Sequence, residues 1–228
     1  MSGTLLVVVI AAALIVLALL ALLWRTLVGG RGPLVAAIGD ARSLTSLDDE
    51  TGAVRSLQSA VLTLPVEELD LIWTPPYLER LARTYWRFLS RATLGLIHVD
   101  YSERERSIVL LTQPLRLLTF HAPEYEMDRH HGLVRWRIAR GLLVAKRGRD
   151  DGGYLQVEVR RDPDEQDGQV KLHVSVEVAN FYPSLASWLP RGFYDTTQSR
   201  IHVIVTNRFL RSLQRLDFAE SKIGQFKA

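Results

Sequence analysis

Residues 124–139 read EYEMDRHHGLVRWRIA, and this stretch decides the fold class because apolar and charged side chains alternate on both sides of one glycine. An assignment of His131-Gly132 as a two-residue loop, in which Gly132 supplies the positive φ that such turns need, predicts a β-hairpin. Moving the loop back by one residue keeps the charge pairing, so the exact turn stays open. Charged pairs then share one face and apolar pairs the other, as a half-buried hairpin requires. The predicted pairs are Asp128–Arg135, Glu126–Arg137, Met127–Trp136 and Tyr125–Ile138.

The same alternation continues along the chain. Tyr154–Arg161 and Val170–Ala179 flank the loop Asp162–Gln169 and predict a second hairpin. Its expected apolar pairs are Val159–Val170, Val157–Leu172 and Leu155–Val174, with Glu158–Lys171 on the other face. Shorter alternating runs lie upstream at Leu96–Tyr101, Ile108–Leu111 and Leu115–Phe120. Together these runs predict an antiparallel meander of five to seven strands.

Segments with helical periodicity lie before and after the meander. A helix is predicted from Pro76 to Ala92, because proline suits a first helical turn and apolar residues recur at three- and four-residue spacing. A long closing helix is predicted from Gln198 to Phe218 on the same grounds. The two apolar faces consist of Leu78, Leu81, Tyr85, Leu89 and Ala92 in the first helix, and Ile201, Val205, Phe209, Leu213 and Leu216 in the second.

This order of helix, antiparallel strands and long C-terminal helix resembles the helix-grip superfamily, which includes START-like and polyketide-cyclase-like proteins. The resemblance covers about Leu94–Phe218 and concerns the order of elements, without a motif matched residue by residue. It implies a curved sheet that wraps its C-terminal helix around a lipid-sized cavity. In that family two short helices follow the first strand.

The N-terminal segment TLLVVVIAAALIVLALLALLW, Thr4–Trp24, carries no charged residue. A bilayer core of about 30 Å needs about 20 apolar residues as helix, so this run is long enough to cross it. A cleaved signal peptide would need a basic start and a shorter apolar run, and neither is present. The segment therefore predicts an uncleaved transmembrane anchor.

Basic residues follow the anchor at Arg25, Arg31 and Arg42, while none precedes it, which predicts a single-pass protein of the cell (inner) membrane with a cytoplasmic C-terminal domain. The expected fold class is α+β: a transmembrane helix, then an antiparallel sheet packed with a long C-terminal helix and preceding helices. The expected regions are an anchor at 1–25, a juxtamembrane linker with a short helix at 26–69, and the α+β domain at 70–228. The short helix is inferred from the spacing of Val54, Leu57, Val61 and Leu64.

Composition narrows the function classes. The 228 residues carry 28 Lys and Arg against 25 Asp and Glu, a net charge of +3 that suits an anionic leaflet better than a nucleic acid. There is no cysteine, which excludes disulfides and any cysteine-based metal or nucleophile site. No nucleic-acid partner is expected, and the oligomeric state stays open.

Two acidic stretches could hold a metal. Four oxygen or imidazole side chains at alternate positions share one strand face, although arginines across the hairpin can neutralise them. The loop DPDEQDG at Asp162–Gly168 resembles the start of a calcium loop, but its twelfth position is His173 and strands flank it. Neither a metal nor a cofactor is therefore expected. The four side chains on the strand are Glu124, Glu126, Asp128 and His130.

No catalytic signature is present, which favours a non-enzymatic role. Ser175, Ser184 and Ser187 lack a Gly-x-Ser-x-Gly setting, and no Gly-rich phosphate loop occurs. A cyclase- or hydrolase-like enzyme would need polar groups in a cavity. The candidates for that alternative are His98, His173 and Tyr154.

An arginine stripe runs along the helix predicted at 76–92. A charged stripe is ordinarily a solvated face, yet four arginines with one nearby Trp86 also suit a helix lying on anionic headgroups. The expected membrane-surface residues are thus Arg80, Arg83, Arg87, Arg91 and Trp86.

An aromatic connection follows the second hairpin and predicts a cavity mouth, an edge that dips into the membrane, or ordinary packing over one end of the sheet. Its members are Phe181, Tyr182, Trp188, Phe193 and Tyr194. The leading hypothesis is a membrane-anchored, non-enzymatic domain that binds a lipid or apolar ligand, or serves as an envelope-associated scaffold. The alternatives are a cyclase- or hydrolase-like enzyme with a helix-grip cavity, and a protein-interaction subunit of a membrane complex.

Overall fold

The computed structural model describes residues 33–93, 95–110, 115–145, 152–164, 166–182 and 205–221. The transmembrane segment predicted at 1–25 lies outside these ranges. None of the helices within them is long and apolar enough to cross a membrane.

Nine strands and three helices make up the described part. The strands are β1 (Ala37–Leu47), β2 (Val54–Pro65), β3 (Ile97–Tyr101), β4 (Glu105–Leu110), β5 (Arg116–His121), β6 (Glu124–Met127), β7 (His131–Arg140), β8 (Tyr154–Arg161) and β9 (Gln169–Phe181). The helices are α1 (Val66–Ile72), α2 (Pro75–Ala92) and α3, which is helical at 205–212 and ends in a 3₁₀ turn at Leu213–Arg215.

All strand pairs are antiparallel, in the order β1-β2-β9-β8-β7-β5-β4-β3, and β6 pairs separately with β7. This confirms the α+β class with an antiparallel sheet. The predicted helix at 76–92 is confirmed as α2, with Pro75 and Pro76 in its first turn. The closing helix ends earlier than expected, because Leu216 adopts a left-handed φ of 51° that terminates it before Phe218.

The short helix predicted from Val54, Leu57, Val61 and Leu64 is wrong, because these residues lie in β2. Alternate residues of β2 are buried, but two of the inward side chains are the polar Ser56 and Gln58, which hid the two-residue period. Residues predicted as linker thus form β1 and β2, and β2 pairs with β9 along its length. Two strands thus precede the two helices, the meander and the closing helix, whereas in the helix-grip order the two helices follow the first strand.

The registers of both predicted hairpins are also wrong. The apolar faces of β7, β8 and β9 are buried as predicted, but Tyr125 of β6 is 45% exposed. In the β6–β7 hairpin Glu124 faces Arg135 and Met127 faces Gly132. The turn is made by Asp128, whose Oδ1 accepts hydrogen bonds from the backbone N–H groups of His130 and His131, both at 2.8 Å. Gly132 serves close packing, because a Cβ there would lie 2.8 Å from Cγ2 of Val159.

The β8–β9 hairpin is shifted in the same way. Val157 faces Val176 and Val159 faces Val174, so each partner lies four residues beyond the expected one. The cause is a turn at Asp167-Gly168, whose φ angles of 51° and 71° are those of a two-residue hairpin loop. A shift by an even number of residues keeps every side chain on its face, so periodicity alone could not detect it.

This register can be tested by cross-linking, because the natural chain has no cysteine. Arg160→Cys with His173→Cys joins directly facing positions and is expected to form a disulfide on mild oxidation. Arg160→Cys with Gln169→Cys joins the pair of the rejected register, about 13 Å apart at 3.3 Å per residue, and should stay reduced. Mass spectrometry of tryptic peptides distinguishes them, and cross-linking of the second pair alone would contradict the register.

The core lies between the sheet and the helices. Trp86 of α2 packs edge-on against Trp136 of β7, with ring centroids 5.1 Å apart, and Tyr85 packs against Phe209 of α3 at 5.4 Å. These contacts fix α2 against the sheet. They place its N-terminal half beside β3, β4 and β6.

Candidate ligand-binding site

A cavity of about 550 Å³, partly open to solvent, lies between the N-terminal half of α2, strands β3 and β4, and β6. Its lining divides into an apolar floor and a polar wall. The floor consists of Leu78, Ala82, Trp86, Met127 and Trp136, with Pro75, Pro76 and Pro123 at the rim. The wall consists of Glu79, Arg83, Tyr101, Arg106 and Tyr125. We call this cavity the α2 pocket.

The floor is rigid because the core fixes it. Trp86 contacts Phe120 at 5.6 Å between ring centroids, in addition to Trp136, and both tryptophans are buried. Met127 packs against the same core from the end of β6. Such a preformed apolar surface with a few polar groups is typical of small-ligand sites.

The polar wall is organised around one aromatic ring. The guanidinium groups of Arg83 and Arg106 lie 4.7 and 5.3 Å from the ring centre of Tyr101, within cation–π range. Glu79 lies one helical turn before Arg83, with 3.7 Å between the charged atoms. Arg106 also donates to the backbone oxygens of Ser102 and Glu105, which holds it within the β3–β4 hairpin.

Burial shifts the pKa values of these groups. Burial and, to a smaller extent, the Glu79 carboxylate raise the pKa of Tyr125 to about 12, although 45% of the Tyr125 surface is exposed. Burial likewise raises the pKa of Tyr101 and lowers that of Arg106. At neutral pH both phenols therefore remain protonated beside two charged guanidinium groups.

Three buried polar atoms of the pocket lining have no hydrogen-bond partner among the described residues: Oε2 of Glu79 and Nη1 of Arg83 in the wall, and Nε1 of Trp86 in the floor. Buried polar atoms are nearly always hydrogen-bonded in folded proteins, and an unmade bond costs about 1–3 kcal/mol. Their clustering beside one pocket fits a site that a water or ligand completes.

The arginine stripe of α2 contacts the C-terminal strap, residues 217–220. Nε of Arg80 donates to the Ala219 carbonyl and Nε of Arg83 to the Glu220 carbonyl, both at 3.0 Å. Nη2 of Arg87 donates to the Asp217 carbonyl at 2.5 Å, while Arg91 is exposed. Membrane contact by the arginines stays a prediction.

Trp86 does not share their surface. Only 2% of it is exposed, and it packs inward from α2 onto Trp136. This corrects its expected place at a membrane surface, since the residue lies on the core side of the helix.

The strap gives a direct test through Thr84, whose Oγ1 accepts a hydrogen bond from the Ala219 backbone N–H at 2.7 Å. In Thr84→Val, which has the same shape but no acceptor, the Ala219 amide is expected to exchange with solvent at least about tenfold faster, since losing a bond of about 1.4 kcal/mol gives that factor. Hydrogen exchange followed by mass spectrometry measures this. Unchanged protection at Ala219 would show that the strap is held in another way.

A second cavity, of about 750 Å³, lies on the outer face of the sheet. Its described lining holds four arginines and four carboxylates, and some of them pair, for example Arg55 with Glu177 at 2.6 Å and Arg160 with Glu158 at 2.6 Å. Because these arginines and carboxylates are equal in number, they give no excess charge for a ligand.

The acidic side chains of β6 and its turn, whose spacing could hold a metal, lie near this face. Glu124 pairs with Arg137 at 2.6 Å, and this hydrogen bond lowers the pKa of Glu124. The carboxylate of Asp128 is occupied by its turn, and the hydrogen bonds from His130 and His131 lower its pKa. In the described ranges no three His, Cys, Asp or Glu side chains come together in a way that could hold a metal.

The three candidates for catalysis do not converge. His98 lies 3.5 Å from Asp100, while His173 lies 3.9 Å from Asp162 on the outer face. Tyr154 donates to Glu177 at 3.3 Å. None of the three lines the α2 pocket.

The predicted aromatic mouth is described only in part. Phe181 is buried in the core, and the carbonyl of Tyr182 accepts a hydrogen bond from Ala145 at 2.8 Å. Trp188, Phe193 and Tyr194 lie outside the described residues. Beneath the 3₁₀ turn at the end of α3, described residues such as Leu213 enclose an apolar cavity of about 40 Å³.

Comparison with known proteins gives similarity at the level of structure. The chain matches none of the protein-family models and none of the curated proteins. It is similar to human StAR-related lipid transfer protein 5 (11% identity, covering 90% of this chain and 97% of that one, TM-score 0.33) and to human STARD10 (6% identity, 83% and 76%, TM-score 0.33). It is also similar to protein Ms6760 from Mycobacterium smegmatis (12% identity, 78% and 97%, TM-score 0.31).

These neighbours include START-type proteins, as the resemblance in element order predicted. Every one of these TM-scores lies below 0.5, so the assignments that follow rest on the geometry of this chain.

The sequence singled out Arg83 and Trp86, but as membrane-surface residues and not as pocket residues, and it did not point to Glu79, Tyr101, Arg106 and Tyr125. They come from four separate elements, so no local spacing relates them. Glu79 was the one residue with a local sequence signal, because it directly follows the inward-facing Leu78. In the structure Glu79 is 6% exposed.

Proposed function

We propose that this protein is a membrane-anchored, non-enzymatic domain that binds an apolar or amphipathic ligand in the α2 pocket. The carrying observation is the combination of a rigid apolar floor with a short polar wall in one cavity of about 550 Å³. That volume falls within the range of about 300–1,000 Å³ typical of small-ligand sites. Burial of an apolar chain there would contribute about 25 cal/mol per Å².

The absence of convergent catalytic groups among the pocket-lining residues supports binding over chemistry. The polar wall holds one carboxylate, two arginines and two tyrosines, and the pKa of each tyrosine is raised by burial, away from neutral pH. A general base needs a pKa near the working pH. The phenols are suited to donating hydrogen bonds to a ligand.

The position of Val35 and Ala36, near the start of the described residues, supports attachment close to the membrane. The backbone N–H groups of Val35 and Ala36 donate to the Gln214 carbonyl at 2.8 and 3.0 Å, just before the strap that lies on the arginines. A predicted anchor ending near residue 25 would therefore join the domain on the side of the arginine stripe. In this proposal the exposed Arg91 faces anionic headgroups of the cytoplasmic leaflet.

Native mass spectrometry of the full-length protein tests the binding function. The wild type is expected to carry a noncovalent amphiphile, and Met127→Trp, which adds a ring to the pocket floor, is expected to lose it. Leu142→Trp, at an exposed position away from the pocket, is the matched control and should keep the adduct. Absence of any adduct in wild type, or equal adducts in all three proteins, would contradict the proposal.

A further inference from the structure

The wall of the α2 pocket carries more positive than negative charge. Among its described lining residues there are two guanidinium groups, Arg83 and Arg106, and one carboxylate, Glu79. The carboxylate is 3.7 Å from Arg83, beyond hydrogen-bond distance. The described lining of the pocket therefore has one more positively charged side chain than negatively charged ones.

Both guanidinium groups are held in place by the fold itself. Each lies within about 5 Å of the Tyr101 ring centre, at 4.7 and 5.3 Å. Arg106 is further fixed by the Ser102 and Glu105 carbonyls, and Arg83 by the Glu220 carbonyl at 3.0 Å. Preorganised donors give affinity without an ordering cost when the ligand binds.

These charges lie in partly desolvated positions. Arg106 is 7% exposed and the Arg83 side chain 14% exposed. Burial lowers the pKa of Arg106, because removal from water disfavours its charged form. A negative group on a ligand would offset this desolvation, and charged hydrogen bonds of this kind are worth about 1.5–3 kcal/mol each.

We propose that the α2 pocket takes an amphiphile with a single negative head, a carboxylate or a phosphate ester, placed at Arg83 and Arg106 with its apolar body on Trp86, Trp136 and Met127. This inference rests on the proposed binding function and names the ligand class of the same site. The indole Nε1 of Trp86 and Nη1 of Arg83, both without partners among the described residues, are further donors beside the head.

A cationic ligand fits the wall poorly. Aromatic cages recognise ammonium groups through free ring faces, but the ring of Tyr101 already carries two guanidinium groups. Tyr125 lies in the same electrostatic field, which includes both arginines. An ammonium head would add repulsion to a positively charged wall.

The test compares four ligands that share one chain and differ in the head: octanoate, octyl phosphate, octan-1-ol and octylamine. Calorimetric titration uses the full-length protein in phosphatidylcholine nanodiscs, with empty discs subtracted. Octanoate and octyl phosphate are expected to bind at least tenfold more tightly than octan-1-ol, and octylamine more weakly than octan-1-ol. Acetate and inorganic phosphate, which have the head alone, distinguish a free anion from an amphiphile and should bind at least tenfold more weakly.

Variants assign the preference to the two arginines. Arg83→Gln and Arg106→Gln are expected to lower octanoate affinity to the level of octan-1-ol, whose own affinity changes less than about threefold and so reports an intact pocket. Arg106→Lys should keep most of the preference because it keeps the charge. Arg91→Gln, exposed on the same helix and outside the pocket, is the matched control and should bind as wild type.

The outcomes separate the two proposals. Equal wild-type affinities for octanoate, octan-1-ol and octylamine, or a preference for octylamine, would overturn the anionic head but leave an apolar pocket. If acetate or phosphate bound as tightly as the amphiphiles, the ligand of the pocket would be a simple anion and not an amphiphile. No binding of any eight-carbon probe would overturn both. Because the wild-type series decides the head preference, failure of an arginine variant to fold does not affect it.

Discussion

Trp86→Ala is expected to lower the free energy of unfolding by about 3–5 kcal/mol, the usual cost of removing a large aromatic side chain from a core. Trp86 is 2% exposed and contacts Trp136 and Phe120 at ring-centroid distances of 5.1 and 5.6 Å. The packed core cannot close over a lost indole ring without leaving a cavity, which adds to the lost burial. The loss would also remove much of the floor of the α2 pocket.

Urea unfolding of the full-length protein, followed by circular dichroism, measures this effect. Leu71→Ala is the control, because Leu71 is 68% exposed and its truncation should change stability by less than about 0.5 kcal/mol. A cost below about 1 kcal/mol for Trp86→Ala would place this side chain at the surface and contradict the core described for α2.

Gly141→Ala is expected to destabilise the fold by about 3 kcal/mol, because overpacking and backbone strain each cost about 1–3 kcal/mol. Gly141 follows β7 with a φ of +152°, in a region that L side chains rarely adopt. A Cβ there would also collide with the carbonyl oxygen of Leu117. The backbone cannot retreat easily, since the N–H groups of Leu142 and Leu143 donate to Arg116 and Leu117 of β5 at 3.1 and 3.0 Å.

Gly39→Ala is the matched control for this prediction. A Cβ at Gly39 would meet nothing within 4 Å, and its φ is not positive. Its stability should therefore stay within about 0.5 kcal/mol of wild type by the same urea measurement. Equal stability of both variants would mean that the loop after β7 does not approach β5 as closely as described.

The buried faces of the meander were predictable because successive side chains of a strand point to opposite faces of the sheet. This alternation does not depend on which residues pair across strands. The register was not, since a shift of each hairpin by an even number of residues leaves Val157 and Val159 equally buried. One available signal was Asp167-Gly168, a dipeptide typical of two-residue hairpin loops, but the prediction treated the whole of Asp162–Gln169 as the loop.

Strand β2 escaped prediction for a different reason. Its inward residues include Ser56 and Gln58, and the amide nitrogen of Gln58 donates to the hydroxyl of Ser56 at 2.9 Å, so these two polar side chains are joined inside the sheet. The remaining apolar residues then happened to fit helical spacing. Pairing with β1 on one side and with β9, more than 100 residues away, on the other makes this segment a strand.

The α2 pocket could not be predicted because its members meet only through tertiary packing. Tyr101 and Arg106 flank the turn between β3 and β4, and Tyr125 comes from β6. The spacing of α2 placed Arg83 correctly on one stripe with its neighbours. It could not show that the residue contacts Tyr101 on one side and the strap on the other.

The central claim, that the α2 pocket is a ligand site, is tested most directly with 1-anilinonaphthalene-8-sulfonate, an apolar fluorescent monoanion. Titration into the full-length protein in nanodiscs, corrected with empty discs, should give a saturable emission increase at one site per chain. Met127→Trp is expected to weaken this binding at least tenfold, while Leu142→Trp leaves it unchanged. Non-saturable emission, or equal binding by wild type and both variants, would contradict the account.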